Sequence, residues 1–177
     1  MDDSMLIAQF LDGLDYGRVE VCITGVTCSE SLYWTDRHFH QGFAWREGNA
    51  SFGAPDAYGT IQVHIRRGVN APLRADTIRA IRVPFTIPAS GAIEVTCGWG
   101  RPDSPPSYPI PAGEYALHYS IGHDPTLETA EDRAAYLRGF WCDLIFVPAE
   151  ATTPAVIKAD DLLSPKYPLL MHAEPIP

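Results

Sequence analysis

The chain has 177 residues, the length of one ordinary domain, and 46% of them are hydrophobic against 20% charged, enough to bury a core rather than remain disordered. Its net charge of −9 disfavours direct nucleic-acid binding, which is driven by neutralising phosphates with Lys and Arg. The charge is uneven. Residues 1–59 carry 3 basic and 9 acidic residues, residues 60–101 carry 6 and 2, and residues 102–177 carry 4 and 11. An acidic body of this kind favours cationic partners.

The opening MDDSMLIAQFLDG begins with Asp2 and Asp3 and holds only a short apolar run, which lacks the basic start of a signal peptide. No window has the ~18 apolar residues of a membrane span. A cytoplasmic protein is expected. The four cysteines, Cys22, Cys28, Cys97 and Cys142, show no C-x-x-C spacing and fall in strand-like runs, so buried reduced thiols are expected.

Residues 18–26 alternate Val19, Val21 and Ile23 against Glu20, Cys22 and Thr24, the period of a half-buried strand. Thr35 and Asp36 offer oxygens to cap a short helix over residues 37–41, which Gly42 ends. Residues 43–46 and 50–52 read as a small hairpin or a bulged strand around Glu47-Gly48-Asn49. Residues 60–66 are the clearest strand, with Ile61, Val63 and Ile65 on one face. Residues 78–87 alternate again, and Pro84 marks an edge or a bulge. A strand over 92–99 and a Pro-rich loop over 101–108 follow. Residues 114–121 set Tyr115, Leu117, Tyr119 and Ile121 in a row, residues 126–138 read as a helix, and residues 140–147 as a strand buried on both faces. Short closing strands are expected at 156–159 and 168–173.

About eight strands separated by turn residues indicate an all-β, single-domain β-sandwich or flattened barrel with one or two short helices. The domain spans residues 1–177, with an insertion at 122–139 and a C-terminal extension at 149–177.

No nucleophile elbow, phosphate loop or cysteine-protease signature is present, so the residues single out no catalytic group and no cofactor. His38-x-His40, with His64, His118 or His123 as a third ligand, is the nearest approach to a metal set, but on a helix i and i+2 point apart. A small-ligand or metal-binding β-barrel with weak enzymatic activity is the alternative reading, built around His38, His40, His64 or His118. Among four tryptophans, Trp141 reads as core. Trp34 beside Asp36 and Trp45 beside Glu47 each pair a large ring with a carboxylate near a turn, as an interface anchor does. The competing reading packs these rings beneath the short helix.

Five segments in order, W-T-D (34–36), G-F-A (42–44), A-S-F (50–52), V-P-F (83–85) and P-A-G-E-Y (111–115), resemble the competence protein J family. The resemblance implies an all-β module that binds and inhibits a DNA-entry nuclease without catalysis of its own. Trp34, Asp36, Trp45 and Glu47 are then the candidate partner-binding residues, and a basic nuclease is the expected partner.

Overall fold

In a computed structural model that describes residues 4–98 and 103–176, the chain forms two packed β-sheets. In chain order the elements are β1 (Met5–Leu14), β2 (Arg18–Ile23), α1 (Asp36–Gln41), β3 (Phe43–Arg46), β4 (Asn49–Gly53), β5 (Gly59–Arg67), β6 (Thr77–Ile87) and β7 (Ala92–Thr96). They continue with β8 (Ser107–Pro109), β9 (Gly113–His123), a 3-10 turn at Pro125–Leu127, α2 (Ala130–Ala134), β10 (Arg138–Pro148) and β11 (Ala155–Lys158). The larger sheet has the order β1-β5-β10-β9-β6-β11, and the smaller β3-β4-β2-β7-β8. All pairings are antiparallel except β5 with β10.

Alternation decides which side chains meet between the sheets. Val19, Val21 and Ile23 of β2 and Ala50 and Phe52 of β4 face Ile61, Val63 and Ile65 of β5 and the predicted row of β9 in one core. Phe52 stacks on Tyr119 with ring centroids 4.6 Å apart, joining the two sheets. The Tyr119 hydroxyl also donates to the Gly53 carbonyl at 3.2 Å. Along one flank, the Trp45 indole N–H donates to the Pro84 carbonyl at 2.7 Å, a second strut between the sheets. A buried ion pair between Arg79 and Asp160, 2.7 Å apart, ties the C-terminal segment to the same core, and Arg79 also donates to the carbonyls of Gly53 and Ala54.

Several expectations need correction. Residues 126–138 do not make one helix: α2 is five residues long, and Tyr136 takes φ 58°, a left-handed conformation that stops the helix before β10 begins. Thr129 caps α2 by accepting from the Asp132 N–H at 3.0 Å. Residues 168–173 form no strand; their backbone is engaged by side chains of α1 instead. β1 is an edge strand that the alternation did not announce, since most of its residues stay exposed or half-buried. Part of the Pro-rich loop, Ser107–Pro109, pairs with β7 as β8. Cys22 and Cys28 are joined as a disulfide rather than free thiols, because the turn after β2 folds back and sets their Cα atoms 5.0 Å apart. Cys97 and Cys142 are buried free thiols. Pro84 lies on β6 beyond the end of β11, so its missing N–H costs no ladder bond there. Asp2, Asp3, Trp99 and the start of the 101–108 loop lie outside the described residues. Among the described residues no helix is long and apolar enough to cross a membrane.

Candidate partner-binding surface

Helix α1 is short, so its position depends on side-chain ties rather than propensity. Thr35 is the N-cap residue, with extended backbone. Its N–H donates to His38 Nδ1 at 3.0 Å, which leaves the His38 proton on Nε2, donated to the His172 carbonyl at 2.9 Å. Burial holds the His38 pKa below its ordinary value, in keeping with a neutral ring used at both nitrogens. Gly42, in the left-handed region at φ 81°, closes the helix, and a Cβ there would sit 2.9 Å from Leu163. The buried Gln41 amide donates to the carbonyls of Phe43 and Leu170 and accepts from the Leu170 N–H. His40 meets Ser164 Oγ at 2.7 Å, and the Arg37 guanidinium donates to the Pro168 carbonyl. One side of α1 is therefore laced to residues 164–172, and Asp36 and Phe39 remain exposed.

Trp34 lies under this helix. It is 7% exposed, packs with Leu32, Ala44 and Ala173 on the outer face of the smaller sheet, and donates its indole N–H to Ser51 Oγ at 3.2 Å. Arg18 of β2 lays its guanidinium 4.9 Å above the Trp34 ring and 5.9 Å from Phe39, a cation–π stack. Phe39 and Trp34 are 5.1 Å apart. Next to the stack opens a groove of about 270 Å³ lined by Tyr16, Trp34, Phe39, Asp56 and Leu162. Its rim carries large apolar side chains left in solvent: Tyr16 (55%), Phe39 (54%) and Leu162 (68%). Tyr58, half exposed, packs against Tyr16 at 5.9 Å. The exposed carboxylates Asp36 and Asp56 lie on α1 and beside Tyr58. Exposed aromatics grouped around a concavity with charges at the edge are the anatomy of a protein-binding patch.

The four residues singled out from the sequence are not gathered into one patch. Trp34 lines the groove, and Asp36 is exposed at the start of α1. Trp45 points to the opposite face of the sheet, into the main core, and its N–H is used by Pro84. Glu47 is exposed on the β3–β4 turn, separated from α1 by the length of β3, about 13 Å at the usual rise per residue. Arg18, Tyr16, Phe39, Tyr58 and Leu162 were not indicated by the sequence. They come from separate segments, and only the bulky ring beside Gly17 in the turn before β2 offered a local signal.

The histidines do not assemble into a metal set among the described residues. His38 and His40 are held as above. His64, on the outer face of the larger sheet, has Nδ1 2.9 Å from Asp143 Oδ1, and Arg74 grips both oxygens of Asp143 at 2.8 Å. Burial pushes the Asp143 carboxyl up, but the bonds and charges of His64 and Arg74 outweigh it and hold the group below the usual carboxylate range. Ser120 is the register partner of Asp143 on β9, whereas His64 is its partner on β5. The carboxylate thus stands between imidazole and hydroxyl, the wrong order for an imidazole to draw a proton from serine.

Fold and groove together define a small two-sheet β-sandwich with an aromatic-rimmed recess lined by Arg18, Asp56 and Arg79. The chain belongs to the competence protein J (ComJ) family, whose sequence profile matches residues 14–146. Among solved structures it is similar to ComJ, inhibitor of the DNA-degrading activity of NucA, from Bacillus subtilis, with 17% identity and a TM-score of 0.61 over 81% of this chain and 98% of that one. It is also similar to the product of crocagin biosynthetic gene J, with 13% identity and a TM-score of 0.57 over 83% of this chain and 99% of the other. At such identities the likeness speaks for the fold. The sequence has no match among curated proteins.

Proposed function

We propose that the protein is a non-catalytic inhibitor of a nuclease, working in the cytoplasm by occupying the enzyme's basic DNA cleft. The observation that carries this reading is the groove at the α1 end: exposed Tyr16, Phe39 and Leu162 line a recess together with Asp56, and exposed Tyr58 packs on Tyr16. Family membership supports it, since a ComJ protein inhibits NucA. Aromatic anchors supply desolvated contact area, and the chain's net charge of −9 matches the charge of a phosphate-binding cleft. Trp34 and Arg18 hold the anchors from beneath, Trp45 maintains the flank between sheets, and Glu47 with the remaining surface carboxylates steers the approach of a cationic partner.

The test is a DNA-digestion assay with a DNA-degrading nuclease of the NucA kind, titrated with the purified protein at several salt concentrations. Inhibition that weakens as salt rises is expected. Undiminished digestion at low salt with the inhibitor in excess would refute the reading.

A further inference from the structure

On the outer face of the smaller sheet, away from the main core, three polar residues stand in one row across three strands. Cys22 of β2 is the register partner of Asn49 on β4 and of Glu94 on β7. All three are buried, at 7%, 2% and 3% exposure. The segment after β2 folds over the row and brings in Cys28. It is pinned there by Thr27 Oγ, which donates to the Gly48 carbonyl, and by the Asn49 amide, which donates to the carbonyls of Glu30 at 2.7 Å and Thr27 at 3.4 Å. A cavity of about 310 Å³ opens beside it, lined among others by Arg18, Glu20, Cys22, Cys28, Asn49 and Thr96.

Two independent observations bear on what this row can bind. The sulfurs of Cys22 and Cys28 and a carboxylate oxygen of Glu94 lie within 4.8 Å of one another. Asn49 Oδ1, buried in the same row, has no hydrogen-bond partner among the described residues. Exchanging the amide's ends would not help, since its nitrogen already serves two carbonyls that an oxygen would repel. An orphaned acceptor in a closed site is satisfied by a donor or a cation.

We propose that the reduced protein holds a zinc ion here, bound by the thiolates of Cys22 and Cys28 and the carboxylate of Glu94, with Asn49 Oδ1 facing the fourth position. The disulfide is the metal-free state of the same site. A dithiol reductant supplies two electrons and two protons, cleaves the S–S bond to two thiols, and leaves as its own disulfide. Zinc then displaces the two thiol protons to solvent. A Zn–S bond of about 2.3 Å in a tetrahedron requires the sulfurs to stand ~3.8 Å apart. Two soft thiolates with a carboxylate and an amide oxygen suit zinc better than magnesium or calcium, which take oxygen alone. Cys97 and Cys142 are buried elsewhere and compete for no part of this set.

The test uses the full chain, reduced with a phosphine that leaves no competing thiol, and zinc chloride followed by elemental analysis. The reduced protein should retain one zinc per chain, and cobalt in its place should give the thiolate charge-transfer and tetrahedral bands. The oxidised protein should retain none. Cys22→Ser and Cys28→Ser should each abolish retention, and Glu94→Gln should weaken it about tenfold or more. Urea unfolding of each variant separates lost ligands from lost fold. Reduced wild-type protein whose Cys22 and Cys28 are both alkylatable yet retains no zinc would overturn the site. So would retention that survives oxidation or loss of both cysteines.

Discussion

Asp36 and Thr35 illustrate how neighbouring residues divide roles that look interchangeable in the sequence. Thr35 occupies the N-cap, so Asp36 is left in the exposed first turn, favoured there only by the helix dipole. Asp36→Ala should therefore change stability by no more than about 0.5 kcal/mol in urea unfolding. If the groove is the inhibitory surface, the same change should weaken nuclease binding, and Phe39→Ala should cost ~1–3 kcal/mol of affinity with little loss of fold. Isothermal titration of both variants against the nuclease checks this, and unaltered affinity in both would place the interface elsewhere. Asp160→Ala has the opposite profile. It removes the counter-charge of Arg79, whose side chain is 4% exposed and keeps only the Gly53 and Ala54 carbonyls, and should cost about 3–5 kcal/mol of stability. His118, on β9 opposite Arg82, titrates low, to about 4, through burial first and the Arg82 charge second. The folded state thus prefers the neutral ring. Its contribution is fully present above the unfolded pKa near 6.5 and is lost as pH falls from there towards 4. His118→Gln should flatten the decline in melting temperature over that window, and an unchanged slope would assign it to other groups.

At the scale of elements, the strands that alternate cleanly are those with one face in the core. β2, β5, β6 and β9 are legible for that reason, and so is the apolar run of β10, which has helix-free neighbours on both sides and a covered outer face. β1 was not legible because it is an edge strand with much of its length in solvent. α2 was overestimated because helical composition in residues 126–138 is overridden by the need to reach β10 in register with β5 and β9. Gly122 shows how tight that approach is. A Cβ there would lie 2.5 Å from the Trp141 ring and 2.6 Å from the Asp76 carbonyl, so Gly122→Ala should destabilise by about 1–3 kcal/mol, measured by urea unfolding.

For the whole molecule, the C-terminal segment closes the architecture rather than trailing from it. Residues 160–176 supply the partner of Arg79, the acceptor of His38, the ties of Gln41 and a bridge from Pro175 to Leu32. The profile of the family ends at residue 146, so this chain stabilises α1 with a segment beyond the matched span. Ending the chain at residue 149 should lower the melting temperature and release α1, detected as loss of amide protection at residues 38–42.

The strand-rich class, the main inward-facing rows, the short helix over residues 37–41 and the acidic balance are legible in the sequence. Each follows from local periodicity, a cap, or a count. That Trp34 and Trp45 point to opposite faces, that Arg18 stacks on Trp34 and Phe39, and that Cys22 meets Cys28, Asn49 and Glu94 emerges from the folded chain alone. Those juxtapositions depend on strand order and on which way turns fold. Long-range pairing fixes both, and no window of neighbouring residues encodes it.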